Sequence, residues 1–174
     1  MNWPIELLEL LALQQECERV SGVEGLAGKF GLPAREDDIA SCERALGFRL
    51  EAAHRRFMSF SNGWSSFIGD INLFATQDFV GSLEFKTACD WIHELEDSTF
   101  GKYASDRNSL FPIAKGTGST ALLVMKRQHS IVFPEVIWFA NEPVEEFPTF
   151  DSMFASVKAY ARGSVEFWRS QRKE

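Results

Sequence analysis

At 174 residues, 45% of them apolar, the chain is long enough to bury roughly 70% of its unfolded surface as one domain. Its 18 basic and 25 acidic residues leave a net charge of −7. That argues against a general nucleic-acid binder, which needs a basic stripe to release counterions from phosphates. The same balance suits a basic protein partner, although an ordinary soluble protein shares it. Cys17, Cys42 and Cys89 sit in helical patterns with no CxxC pair, as reduced thiols of a cytosolic protein would. Residues 1–15 carry Glu6 and Glu9 and no basic leader, so neither a signal peptide nor a membrane span is expected, and the chain is placed in the cytoplasm.

Residues 4–20 have helical spacing. Ile5, Leu8, Leu11 or Ala12, and Gln15 mark one side, while Leu7 and Leu10 widen the apolar surface past half the circumference. That width predicts a helix packed deep on the core; the alternative is a helix that covers a sheet edge or joins a weak homodimer. Gly22, Gly25, Gly28 and Gly31 read as a loop. A second helix is expected to begin near Pro33, with Glu36, Asp37 and Asp38 at its positive end and Ile39, Cys42 and Leu46 as its stripe. Gly47 stands at a left-handed C-cap, after which Phe48 and Leu50 pack back. A third helix uses Ala53, Phe57 and Phe60 and ends at Asn62-Gly63, where both residues accept positive φ.

Residues 64–68 and 71–75 are short apolar runs around Gly69-Asp70, which read as a hairpin or a strand with a tight turn. Residues 83–96 return to helical spacing through Phe85, Ala88 or Cys89, Ile92 and Leu95, and residues 98–108 read as a polar loop. Residues 110–114, 120–125 and 135–139 form a β-meander. Its run Ala121-Leu-Leu-Val-Met does not alternate and predicts a central strand covered on both faces. Pro112 suits a strand start or edge, and Pro134 a bulge or break. A last helix opens with Phe150, Asp151 and Ser152, continues through Met153, Phe154, Val157 and Tyr160, and is open to a split at Gly163. Arg162, Arg169, Arg172 and Lys173 lie toward its negative end. This order predicts an α+β fold: N-terminal helices, a mostly antiparallel sheet of about four to six strands with helices packed on it, and a C-terminal helix.

A hydrolytic site needs a nucleophile beside a base. The histidines are His54, His93 and His129, and no serine stands in a G-x-S-x-G elbow. His54, beside Arg55 and Arg56, reads as a surface residue on the exposed flank of its helix, and His129 as a solvated turn residue. Asp90, His93, Glu94 and Asp97 lie three and four apart, a spacing that can hold a divalent metal. They also lie opposite the apolar stripe, where a solvated acidic face is the plainer reading. Gly116-Thr-Gly-Ser has no lysine and joins two strands, unlike a phosphate loop. No catalytic residue, metal or cofactor is therefore expected.

Recognition remains, and it works through exposed anchors and charge patterns. Trp64, Phe67, Trp91, Trp138 and Trp168 are the candidate anchors. Most belong in a core, and Trp64 is favoured as accessible because it follows a turn. The acidic candidates are Asp90, Glu94, Glu96 and Asp97 around the middle helix, with Glu142, Glu145 and Glu146 in a loop before the last helix. Such carboxylates can mimic phosphate or pair with a basic active site.

Glu43, Leu46-Gly47-Phe48, Leu50, Phe57 and Asn62-Gly63 together resemble the signature of the SUKH superfamily, which includes the Smi/Knr-type cell-wall assembly regulators and many bacterial immunity proteins. Glu51 stands where the family usually has proline, and His54 where it often has tyrosine. The resemblance covers residues 32–160, leaving 1–31 as an N-terminal extension of a single domain spanning 1–174. It implies a non-catalytic immunity protein that binds a cognate toxin domain, one of basic surface such as a nuclease. The fungal relatives imply an alternative, a regulatory scaffold in cell-wall assembly or stress signalling. Such scaffolds tend to carry long disordered flanks, and this sequence shows almost none, which favours the first reading.

Overall fold

The computed structural model describes residues 1–104 and 106–172. Its strands are β1 (Lys29–Phe30), β2 (Trp64–Ile68), β3 (Ile71–Leu73), β4 (Leu110–Gly116), β5 (Ala121–Gln128), β6 (Ile131–Ala140) and β7 (Glu142–Phe147). They form one antiparallel meander in chain order, so each strand pairs with its sequence neighbours. The helices are α1 (Trp3–Ser21), α2 (Glu36–Leu46), α3 (Ala52–Met58), α4 (Leu83–Glu94), the one-turn α5 (Asp97–Phe100) and α6 (Phe150–Gln171). The α+β expectation holds. The sheet is wider than anticipated because β1 and β7 fall in stretches that read as loops.

Helices cover both faces of this sheet. Ala121 lines a cavity with α1 and α6, whereas its neighbour Leu122 lines a cleft with α4 and α5. Successive strand residues point to opposite faces, so the two helix pairs lie on opposite sides. Residues 121–125 of β5 are all buried, as a doubly covered strand requires. On one side α1 and α6 run in the same direction, with Lys158 joined to Glu6 and Glu9, and Arg169 to Glu16. Beneath them Trp3, Phe57, Phe150 and Phe154 form an aromatic cluster, with Trp3 edge-on to Phe154 at 5.1 Å and to Phe57 at 5.2 Å.

Helix α1 packs deep, but on the other stripe. Trp3, Leu7, Leu10, Gln14, Cys17 and Val20 face inward, while Ile5 is 52% and Leu8 61% exposed. Both stripes carry apolar residues, so periodicity alone does not choose between them. Tryptophan at position 3 and the buried Gln14 decide it: the Gln14 amide donates to the carbonyls of Ser66 (3.0 Å) and Phe67 (2.9 Å) and accepts from the Gly28 N–H.

Helix α2 starts at Glu36, not near Pro33, because residues 31–34 are held extended. Gly31 N–H donates to Gly63, Ala34 N–H donates to Met58, and Leu32 accepts from Asn62. Gly47 caps α2 at φ 75°, as expected. Helix α3 ends at Met58, so Phe60 lies beyond it and is exposed. Gly63 alone of the Asn-Gly pair takes positive φ (83°), and a Cβ there would meet Leu73 O at 3.0 Å and Ala75 at 3.1 Å. Gly63→Ala is therefore expected to destabilise the fold by about 1–3 kcal/mol, read from the urea midpoint at unchanged slope.

The prolines obey ladder constraints. Pro112 lies in β4 beyond the end of β3, at a register shift against β5, so its missing N–H breaks no ladder bond to β3. Pro134 sits in the irregular stretch between the Met125 and Arg127 pairings, a bulge as anticipated. Part of the 98–108 stretch is helical, as α5 and a 3-10 turn at Arg107–Ser109. Helix α6 runs unbroken through Gly163, held by the buried Ala161 and Val165 on either side. Lys173, expected near its end, lies outside the described residues.

Candidate functional site

The acidic candidates divide by position. Asp90 and Glu94 are exposed on α4, which stops at Glu94 because Leu95 turns extended (φ −56°, ψ 139°). Glu96 precedes α5 and Asp97 opens it, where Asp97 accepts from the Arg107 guanidinium at 2.7 Å. The break takes Asp97 out of helical phase with Asp90, His93 and Glu94, so these four do not form one stripe. Among the described residues no group of three His, Cys, Asp or Glu side chains is placed to hold a metal.

Glu142, Glu145 and Glu146 belong to β7 and not to a loop. Nothing in EPVEEF alternates cleanly, and Pro143 within it and Pro148 just after it hide the strand. Asn141 turns the chain at φ 66°, its side chain beside the Thr120 hydroxyl at 2.6 Å, and this Asn turn is the signal that could have revealed β7. Glu145 pairs with Trp138 and Glu146 with Ile137, so the two adjacent carboxylates project to opposite faces. Glu146 accepts from the Tyr103 hydroxyl at 3.0 Å, and that ring stands edge-on to Phe139. Sequence reading gives Tyr103 no role, since it falls in the stretch taken for a polar loop.

Three of the candidates meet. Glu94 and Glu96 from the α4–α5 corner and Glu142 at the start of β7 line one cleft of about 340 Å³, floored by Leu122 and walled by Trp91. Lys115, buried in β4, holds one side of this wall. Its ammonium lies 4.5 Å from the Trp91 ring and donates to Glu84 at 2.8 Å. The cleft thus presents three carboxylates and an aromatic edge over an apolar floor, which suits a cationic side chain with an aliphatic stem.

The other predicted anchors lie elsewhere. Trp64 is 1% exposed and is a core residue: β2 turns its ring under α6, against Phe30, Phe67 and Phe154, and Gly28 leaves no room for a Cβ above its indole nitrogen. Phe67 is buried too, while Trp138 and Trp168 are half-buried along the α1–α6 cavity. His54, expected at the surface, is completely buried. It stacks on Phe150 at 5.0 Å with Phe79 edge-on, neither ring nitrogen has a partner, and burial lowers its pKa to about 3. Cys17 and Cys42 are buried and Cys89 half-buried, all three free. Burial, aided by Glu43, lifts the Cys42 thiol to about 11, out of reach of nucleophilic use at neutral pH.

A family model described as the SMI1 / KNR4 family (SUKH-1) matches residues 33–156. The chain belongs to that family. No curated protein matches it. The residues that carry the SUKH-1 signature do structural work at the α2–α3 corner. Glu43 accepts from Leu50 N–H (3.0 Å) and from Arg55 (3.1 Å), tying the two helices across Gly47. Glu51, standing where the family usually has proline, caps α3 by accepting from Ala53 and His54 N–H at 2.8 and 2.9 Å. The acidic cleft lies apart from this corner, among side chains that the SUKH-1 frame positions but its signature does not include. Among the described residues no SUKH-1 helix is long and apolar enough to cross a membrane.

Proposed function

We propose that this chain is a non-catalytic, protein-binding immunity protein that neutralises a cognate toxin domain of basic surface in the cytoplasm, acting as one domain over residues 1–174. Family membership supports the protein-binding part. The observation that carries the rest is the convergence of Glu94, Glu96 and Glu142 in one cleft on a chain of net charge −7. Exposed carboxylates clustered at one cleft attract a basic partner from a distance and set its orientation on contact. Glu146, on the same face of the sheet as the cleft, adds to its negative field, while Glu145 projects to the opposite face and Asp97 is paired with Arg107.

The test is affinity capture by the tagged protein from lysate of its own organism, followed by growth rescue of cells expressing the captured domain. The expected result is a toxin domain that is retained by the native protein and lost by Glu94→Lys/Glu96→Lys/Glu142→Lys. The affinity falls by about a hundredfold, reflecting roughly 1 kcal/mol per reversed charge. Binding to the same domain that ignores both the substitutions and added salt would sink the acidic-cleft reading. Recovery of cell-wall or signalling proteins in its place would favour the regulatory scaffold.

A further inference from the structure

The sheet ends in two unlike edges. β1 is two residues long and offers almost no template, whereas β7 runs six residues from Glu142 to Phe147 and is exposed except at Pro143 and Phe147. Among the described residues no backbone group of β7 bonds to anything but β6, and the only side-chain bond reaching it is that of the Tyr103 hydroxyl to Glu146. Alternate residues of an outer strand turn both N–H and C=O away from the sheet. Pro143 has no N–H and the register shift leaves Val144 unpaired, so the free donors and acceptors of β7 lie in its second half, around Glu145–Phe147.

We propose that β7 is the docking edge for the protein partner, which adds an extended segment carrying two consecutive basic residues. The inference rests on the immunity reading and names how the partner is held. Glu145 and Glu146 project to opposite faces, so an added strand meets one carboxylate on each face at neighbouring positions. Two adjacent Lys or Arg residues satisfy both, and an apolar neighbour covers the exposed Val144. Tyr103 holds Glu146 in place for this contact. Charge disfavours a second copy of the chain at this edge, since two β7 strands laid together would crowd six carboxylates into a short ladder with no basic partner. The cleft beside the β6–β7 turn then receives a further basic side chain from the partner as the strand runs past Glu142.

The probe is a synthetic octapeptide with a central Arg-Lys pair among threonine and valine, used with two N-methylated forms that block alternate backbone N–H groups. Each is titrated into the full chain while the amide exchange of β7 is followed. Strand addition predicts that one methylated form loses binding and the other keeps it. β7 amides slow in exchange, and Glu145→Lys/Glu146→Lys weakens binding by about tenfold or more. Equal binding of the two methylated peptides, or no binding at about 1 mM of the parent, overturns the proposal. The immunity reading has its own failure. If capture of the toxin domain depends on Glu94, Glu96 and Glu142 while the two methylated peptides bind alike, the cleft stands and the strand edge falls.

Discussion

Replacing His54 with leucine is expected to flatten the acid limb of the stability curve by about 1.4 kcal/mol per pH unit. The imidazole lies between Phe150 and Phe79 with no exposure, and burial takes its pKa from 6.5 to about 3. Above pH 6.5 the ring is neutral whether the chain is folded or not, so it contributes no pH dependence there. Below that value the unfolded chain takes up a proton that the folded chain refuses, and unfolding gains until the folded pKa is reached near 3. At about pH 4.5 the difference amounts to about 3 kcal/mol, a large part of a typical domain's stability. Leucine is close to histidine in volume and does not titrate. It loses the stacking on Phe150 but also removes two ring nitrogens that lack partners, so the two proteins should differ little near pH 8. Other acid-sensitive contacts, such as Glu16 held at about 2 by Arg19 and Arg169, are common to both and cancel. Urea unfolding across the pH range reads the result, and parallel curves for the two proteins would show that His54 does not stay neutral in the fold.

How much of this is legible in the sequence depends on where one signal dominates. The α2–α3 corner reads correctly because the acidic first turn, the apolar stripe and Gly47 all say the same thing. The run Ala121–Met125 reads correctly because only a doubly covered strand tolerates it. The misreadings arise where a tertiary partner outranks a local pattern. Pro33 looks like a helix start, but backbone bonds to residues 58–63 hold its segment extended. His54 looks exposed beside two arginines, but it lies three and four residues before Phe57 and Met58, on the stripe of α3 that packs against Phe150 of α6. Trp64 looks like a turn-edge anchor, but β2 points its ring to the face that α6 covers, against Phe67 and Phe154. For the candidate site, Glu94, Glu96 and Glu142 are each visible as acidic residues. Their meeting is not, because it depends on α4 breaking at Leu95 and on a strand, β7, whose prolines and charges suppress every strand signal.

The N-terminal helix poses the sharpest test of the fold, because the family match begins at residue 33 and leaves α1 outside it. The packing argues that α1 is integral. Trp3 is 1% exposed and touches Phe57, Phe150 and Phe154, which come from α3 and α6. Gln14 supplies side-chain bonds to the backbone of β2 that water would otherwise have to make. Trp3→Ala removes an indole from the centre of an aromatic cluster and leaves a cavity that the surrounding rings cannot close, at an expected cost of about 3–5 kcal/mol. Leu8→Ala, on the same helix and equally apolar, should cost less than about 0.5 kcal/mol, since its side chain is 61% exposed. Chemical denaturation of the two variants therefore separates the faces of α1. If α1 were a loosely attached appendage, Trp3→Ala would leave the main transition unmoved. If the sequence periodicity through Ile5 and Leu8 marked the packed side, the order of the two effects would reverse. The expected order, with Trp3 far ahead of Leu8, makes residues 1–31 part of the same cooperative unit as the family region, because the aromatic cluster beneath α6 is not closed without them.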